Sequence, residues 1–260
     1  MPKNEVVEQP KQTFSMMLTD SLTKVEDALP KGFNKTRFVQ NAIALLNDND
    51  TLAKFCRENK EQGTNAVKLG LLKGAYLNLD FLSNEAYLIP YGSKLQFMPS
   101  YRGCVKLVQK YSIRPVKDIY AKVVRQGDEF TEKIVDGQPS IDFKPLPFNG
   151  GDIIGAFAVC LFQDGGMQYD VMSLAELEQT RRASKMANGP AWKFLSEMYK
   201  KTVLHRLCKH IQIDFDSPEQ YKYFNEDMQI ETDSRKAPAT ASMNALLVDP
   251  EEESEVIDAE

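Results

Sequence analysis

The tripeptide Tyr101-Arg102-Gly103 sets a flat ring beside a guanidinium where an alternating stretch, "YLIPYGSKLQFMPS", gives way to a helical one. In such a pair the arginine can neutralise a phosphate while the ring lies against a sugar or a base. The same combination recurs along the chain. Tyr91 and Phe97 fall on the alternating stretch, Lys122 and Arg125 on a later strand, and Trp192 between two basic helices. Residues 181–209 carry Arg181, Arg182, Lys185, Lys193, Lys200, Lys201, Arg206 and Lys209 against the single acid Glu197. A field so concentrated attracts polyanions wherever the surface presents it.

The formal net charge of −5 over 260 residues conceals this field. Residues 226–260 hold eleven acids and two bases, net −9, which leaves 30 bases against 26 acids, net +4, in the first 225 residues. The terminal stretch has no aromatic residue, a composition that does not offset its own ordering entropy, and disorder is expected there. Its short apolar run "ALLV" at 245–248 reads either as a docking motif or, the favoured reading, as part of a solubilising tail.

Other chemistries find less support. No G-x-x-x-x-G-K-[ST] cradle for a triphosphate and no G-x-S-x-G nucleophile elbow occurs. His205, Cys208 and His210 sit at spacings that do not point one way on a helix, so they make a poor metal site. Asp118, Asp128, Glu129 and Asp164 fall at strand ends, where turn residues and divalent-metal nuclease ligands both occur. A magnesium-dependent nuclease is therefore the rival enzymatic reading, and a phage scaffold or interaction protein the rival of another class. The four cysteines, Cys56, Cys104, Cys160 and Cys208, are far apart and read as reduced, mostly buried thiols. No run approaches a membrane span, and "MPKNEVVEQPKQ" lacks the apolar core of a signal peptide, so a cytoplasmic location is expected.

The elements that must position these residues follow from periodicity. Helical patterns occupy 14–28, 35–47 and 51–60, and a further one runs from 64 until Gly74 weakens it. A hairpin is expected over 85–99, a helix over 101–111, and two strands over 116–135 around the Gly127-Asp128 turn. "IIGAFAVCLF" and "MQYDVM" form a hairpin closed by Asp164-Gly165-Gly166. Ser173 and Glu176 form a capping box that starts a helix, and a second helix runs over 191–211 with Trp192, Leu195, Tyr199, Val203 and Leu207 on its apolar stripe. Arg206 phases with that stripe, so either it has a buried partner or its face lines a groove. The result is an α+β fold: a helical part over 13–82, a small antiparallel β-rich core with hairpins over 83–172, basic helices over 173–215, and terminal stretches 1–12 and 226–260 outside the domain.

Taken in order, "AYLIPYG", "LQFMPSYRG", "VVRQGDEF", "RRASK…NGPAW" and "EMYKKTVLHRLCKH" resemble the RecT family of phage single-strand annealing proteins over roughly residues 64–215. One departure is Asn84-Glu85, where other members carry Gly-His. The resemblance implies a recombinase without covalent catalysis that needs no ATP, with magnesium an open question. It would bind single-stranded DNA, pair it with its complement and hold the nascent duplex, as a ring or helical filament of identical subunits. The implied partners are a 5′-to-3′ exonuclease and the host single-strand-binding protein. On this footing Arg102 would meet a phosphate with the help of the helix N-terminus, Tyr101 would lie against sugar or base, and Lys106 would extend the contact. Lys122 and Arg125 would line the same groove, with Arg181, Arg182, Lys185, Trp192, Lys193, Lys200, Lys201 and Arg206 supplying its opposite wall.

Overall fold

Polar caps start each N-terminal helix in the computed structural model, which describes residues 13–184 and 189–225. Thr13 caps α1 (Phe14–Lys24), Asn34 caps α2 (Lys35–Asp48) and Asn49 caps α3 (Asp50–Tyr76), each side-chain oxygen accepting from a backbone amide three residues on. The terminal stretches 1–12 and 226–260, and Lys185, lie outside the described residues. The two helical patterns expected over 51–60 and 64–74 are one helix, with a kink at Lys60 where φ is 50°. Gly74 does not end it. The Phe81 ring packs against that glycine, where a Cβ would lie 2.5 Å from the ring, so the residue serves close packing.

A hairpin of β1 (Ala86–Tyr91) and β2 (Lys94–Pro99) follows, in the register Leu88↔Phe97, and feeds α4 (Tyr101–Tyr111). Phe97 lies in the core, where it meets Phe81 edge-on at 6.2 Å. It is not a surface aromatic, because strand alternation turns it inward with Pro99.

The central sheet has the antiparallel order β3-β6-β7, built from β3 (Val116–Arg125), β6 (Ile153–Phe162) and β7 (Met167–Ser173). The strands β4 (Glu129–Val135) and β5 (Gln138–Lys144) form a separate hairpin. The two strands expected around Gly127-Asp128 therefore exist, but they do not pair with each other. β6 is an almost unbroken apolar run that must be covered on both faces, so it takes the centre and pairs with both β3 and β7. The β4–β5 hairpin lies over its outer face, with the Phe130 and Phe143 rings 5.3 and 5.0 Å from Phe157. Ala156, Ala158 and Cys160 face the other way, into the main core, where α6 (Leu195–His210) packs across the sheet.

The capping box at Ser173 and Glu176 opens α5 (Leu174–Ala183). The second basic helix begins later than its pattern suggests. Pro190–Lys193 make a 3₁₀ turn, and the α-helix starts only at Leu195. Cys104, Cys160 and Cys208 are buried and free, and Cys56 is half-buried and free. Burial holds the Cys208 thiol up to about 12 and that of Cys160 up to about 11.

Residues beyond α6 return to the core through one side chain. Gln220, 1% exposed, donates to the Tyr76 carbonyl at 3.0 Å and to the Tyr111 hydroxyl at 3.2 Å, tying the ends of α3 and α4 to the last described segment. Gln220→Leu strands both acceptors away from water, and a loss of about 2 kcal/mol is expected in urea unfolding followed by tryptophan fluorescence.

Candidate nucleic-acid interface

Ser100 organises the junction between β2 and α4. Its hydroxyl accepts from the amides of Arg102 at 3.1 Å and Gly103 at 3.2 Å, and donates to the Asn84 carbonyl at 2.6 Å. Its own amide donates to the Glu85 carbonyl at 2.9 Å. That carbonyl lies so near Gly103 that a Cβ there would fall well inside contact distance. Glycine is required because the helix starts against a strand backbone. The Arg102 and Gly103 amides at the start of α4 are thus consumed within the chain, which lessens the aid to a phosphate expected from the helix N-terminus.

What remains outward is a ring between two cations. The Arg102 guanidinium lies 5.9 Å from the centre of the Tyr101 ring, and its Nε donates to the Tyr101 hydroxyl at 3.2 Å. The Lys201 ammonium, brought by α6, lies 5.7 Å from the same ring. The bond to Tyr101, with a weaker influence of Tyr87, raises the pKa of Arg102 above its ordinary value. Tyr87 is 42% exposed on β1. It was legible as a companion of Tyr91, since residues 87, 89 and 91 alternate outward while Ala86 and Leu88 are buried.

The other expected contacts separate into several groups. Lys106 is held inside the fold, donating to the Asn78 carbonyl at 2.7 Å and to Glu85 at 2.5 Å. Glu85 also accepts from the Asp80 amide at 2.8 Å, so it braces the turn before β1. Arg125 is a clamp, its guanidinium donating to the Gly151 carbonyl at 2.6 Å and the Ser196 hydroxyl at 3.1 Å. Lys122 faces the opposite side of the sheet, beside Tyr120, Ile141 and Phe143 in a cleft of about 580 Å³ under the hairpin. Strand alternation and the bulge at Val124/Arg125 part these two residues, so they do not line one groove with Tyr101.

Trp192 is 8% exposed, edge-on to Tyr199 at 6.3 Å and capped by the Arg181 guanidinium at 5.6 Å. It fills the joint between α5 and α6 instead of offering a face to a base. Arg181 also pairs with Glu178 at 3.3 Å, and Lys200 pairs with Glu197 at 2.6 Å. Arg206 has the buried partner that its phase allowed. It grips Asp170 through both prongs, with Nε at 2.6 Å, and its Nη2 donates to the Val171 carbonyl at 2.6 Å. Arg182 and Lys193 are exposed.

A second basic and aromatic cluster went unread in the sequence. Lys73 and Lys222 lie 5.6 and 5.5 Å from the ring of Tyr223, which stacks 5.2 Å from Tyr76. Lys73 and Tyr223 are 150 residues apart in the chain, and the Gln220 anchor and the Tyr111–Phe215 ring contact help join them.

The carboxylates weighed as nuclease ligands are spent on local turns. Asp164 takes both prongs of Arg114 at 2.9 and 2.8 Å, Asp128 accepts from Arg125, Leu146 and Asn149, Asp118 from the Ile119 amide, and Glu129 pairs with Lys144. They are not brought to one point.

Residues 36–240 match the family model described as RecT family. Over 158 residues the chain is 30% identical to Protein RecT of Escherichia coli (strain K12), which covers 57% of this chain and 55% of that protein. The chain thus spans about half the length of the curated relative it matches.

The division between spent and outward cations has a direct test. Arg206→Met leaves Asp170 buried without its counter-charge, and a loss of about 3 kcal/mol is expected in chemical denaturation. The salt dependence of any nucleic-acid binding by the folded variant should stay as in the parent chain.

Proposed function

The chain belongs to the RecT family, and on that premise we propose that it is an ATP-independent single-strand annealing protein of phage recombination. It binds single-stranded DNA, pairs it with its complement and holds the nascent duplex as an oligomer. The observation that carries this reading is the Tyr101 ring flanked by Arg102 and Lys201, with Tyr87 beside it. The three residues come from two helices and the fourth from a strand, so the cluster is a product of the fold. Cations on either side of a ring suit a sugar-phosphate backbone, with one base face against the tyrosine.

Annealing imposes a particular demand on such a site. Base edges must stay free to test a partner, so contacts should go to phosphate and sugar and be blind to sequence. Two strands repel each other through their charge, and cations that hold one extended lower the cost of bringing the second alongside. No bond is made or broken, which suits a chain without a triphosphate cradle and with its strand-end carboxylates used in turns. An exonuclease that exposes the single strand, and the host's single-strand-binding protein that coats it, are the partners this activity calls for.

The decisive assay mixes two complementary labelled oligonucleotides with the protein, without ATP, and follows pairing by energy transfer while a gel monitors strand length. Accelerated pairing with intact strands supports the proposal. Shortened strands would assign a nuclease, and no acceleration a scaffold. Arg102→Ala and Lys201→Ala should each weaken binding to unrelated oligonucleotides roughly fivefold and lower the salt slope by about one. Lys122→Ala, on the far side of the sheet, should change neither.

A further inference from the structure

The loop from β5 to β6, residues 145–152, presents an aromatic ring that the fold itself does not use. Phe148 is fully exposed and sits at φ 55°, a left-handed conformation that a bulky residue rarely holds unless its surroundings impose it. Both flanks of the ring are pinned. The Asp128 carboxylate accepts from the Leu146 amide at 3.0 Å and from Asn149 Nδ2 at 2.8 Å, and Asn149 Oδ1 accepts from the Gly151 amide at 2.8 Å. The Arg125 guanidinium then holds the Gly151 carbonyl at 2.6 Å. Leu146 is half exposed, so the braced loop is an apolar projection. Unlike the Tyr101 ring, that of Phe148 has no cation over it among the described residues. Lys144, at the end of β5, pairs with Glu129, and the exposed charge that closes the loop is Asp152. Such surroundings do not favour a phosphate.

We propose that the Phe148 ring docks on a second copy of the chain, in the cleft of about 580 Å³ on the outer face of the sheet. Tyr120, Ile141, Phe143, Val159 and Met167 wall that cleft, and the exposed Lys122 lines it as well. Charge selects the occupant along with shape. Lys122 pairs with no carboxylate and Asp152 with no cation among the described residues, so each can find between copies what it lacks within one. Pro145, where the loop begins, lines the same cleft, yet Phe148 stays outside it. Knob and hole therefore share one surface, and two copies meeting about a two-fold axis seat both rings at once. The Tyr101, Arg102 and Lys201 cluster is carried by α4 and α6, away from the outer face, so the pairing leaves it open. This deepens the functional reading, which calls for an oligomer, and rests on it.

The test uses the full chain without DNA and reads self-association by sedimentation over a range of concentrations. Phe148→Asn keeps the loop, since asparagine tolerates this φ, and should raise the dissociation constant between copies roughly thirtyfold, the share of a buried aromatic anchor. Lys122→Glu and Asp152→Lys should each raise it about tenfold, and the two together in one chain should restore it to within about threefold of the parent. Unchanged association of Phe148→Asn, or no restoration by the double change, overturns the proposal. With Phe148 replaced by the photoreactive p-benzoylphenylalanine, an equal mixture of isotopically light and heavy chains should give links between copies, at Met167 or within β3. A link confined to one copy, or a link to a labelled oligonucleotide in a parallel arm, overturns it likewise. For an oligonucleotide short enough to meet one subunit, Phe148→Asn should bind as the parent does, and a loss there would assign the ring to nucleic acid instead. Failure of the parent chain to accelerate strand pairing would overturn the functional reading and leave the association measurements standing.

Discussion

The close approach of the α4 N-terminus to the backbone at Asn84-Glu85 is the constraint on which the interface depends. Ser100 gives its hydroxyl to that backbone and takes the first helical amides in return, and Gly103 lets the helix come near enough for both. The side chains of Tyr101 and Arg102 are thereby directed outward from a helix start that cannot slide. Lys106 and Glu85 brace the same joint one turn further on. Glu85 is half of an ion pair that holds this frame.

Cations in this chain divide by what surrounds them. Arg206 carries a planar fork that satisfies a carboxylate and a carbonyl together, Arg125 one that meets a carbonyl and a hydroxyl, and Arg181 pairs within its own helix while capping Trp192. An arginine removed from water in this way is committed, since withdrawing it would leave its partner unpaired. Arg102 differs in that its partner is a neutral hydroxyl on a half-buried ring, and Lys201 pairs with no carboxylate among the described residues. These two can exchange their surroundings for a phosphate at small cost. A basic segment is thus a poor guide to a polyanion site until its internal partners are subtracted.

Much of the fold was legible because its signals are local. The capping box at Ser173, the 101–111 helix and the hairpin expected over 85–99 all follow from a few neighbouring residues. Strand pairing was less so. Nothing within "VVRQGDEF" tells that β3 leaves its neighbour to join β6, because the choice is made by an apolar strand thirty residues away that needs two faces covered. The interface was readable in part for the same reason. Tyr101 and Arg102 announce themselves as adjacent residues, whereas Lys201 and Tyr87 join them only through packing. The burial of Trp192 was not legible, because a lone aromatic beside cations has the same composition whether the cations cap it in the core or flank it at the surface.

The sheet and the helices then have separate tasks. The outer face of β6 is closed by a hairpin through stacked phenylalanines, and its inner face by α6, so the sheet is a rigid floor with no open edge at its centre. α6 lies on that floor and carries Lys201 to the one place where α4 begins. Because Arg206 and Tyr199 lock the same helix to β7 and α5, the backbone position of Lys201 opposite the start of α4 is fixed while its side chain keeps its rotamers. On the proposed reading, a frame fixed in this way would let a small number of contacts hold a nucleic-acid backbone while leaving its bases unread.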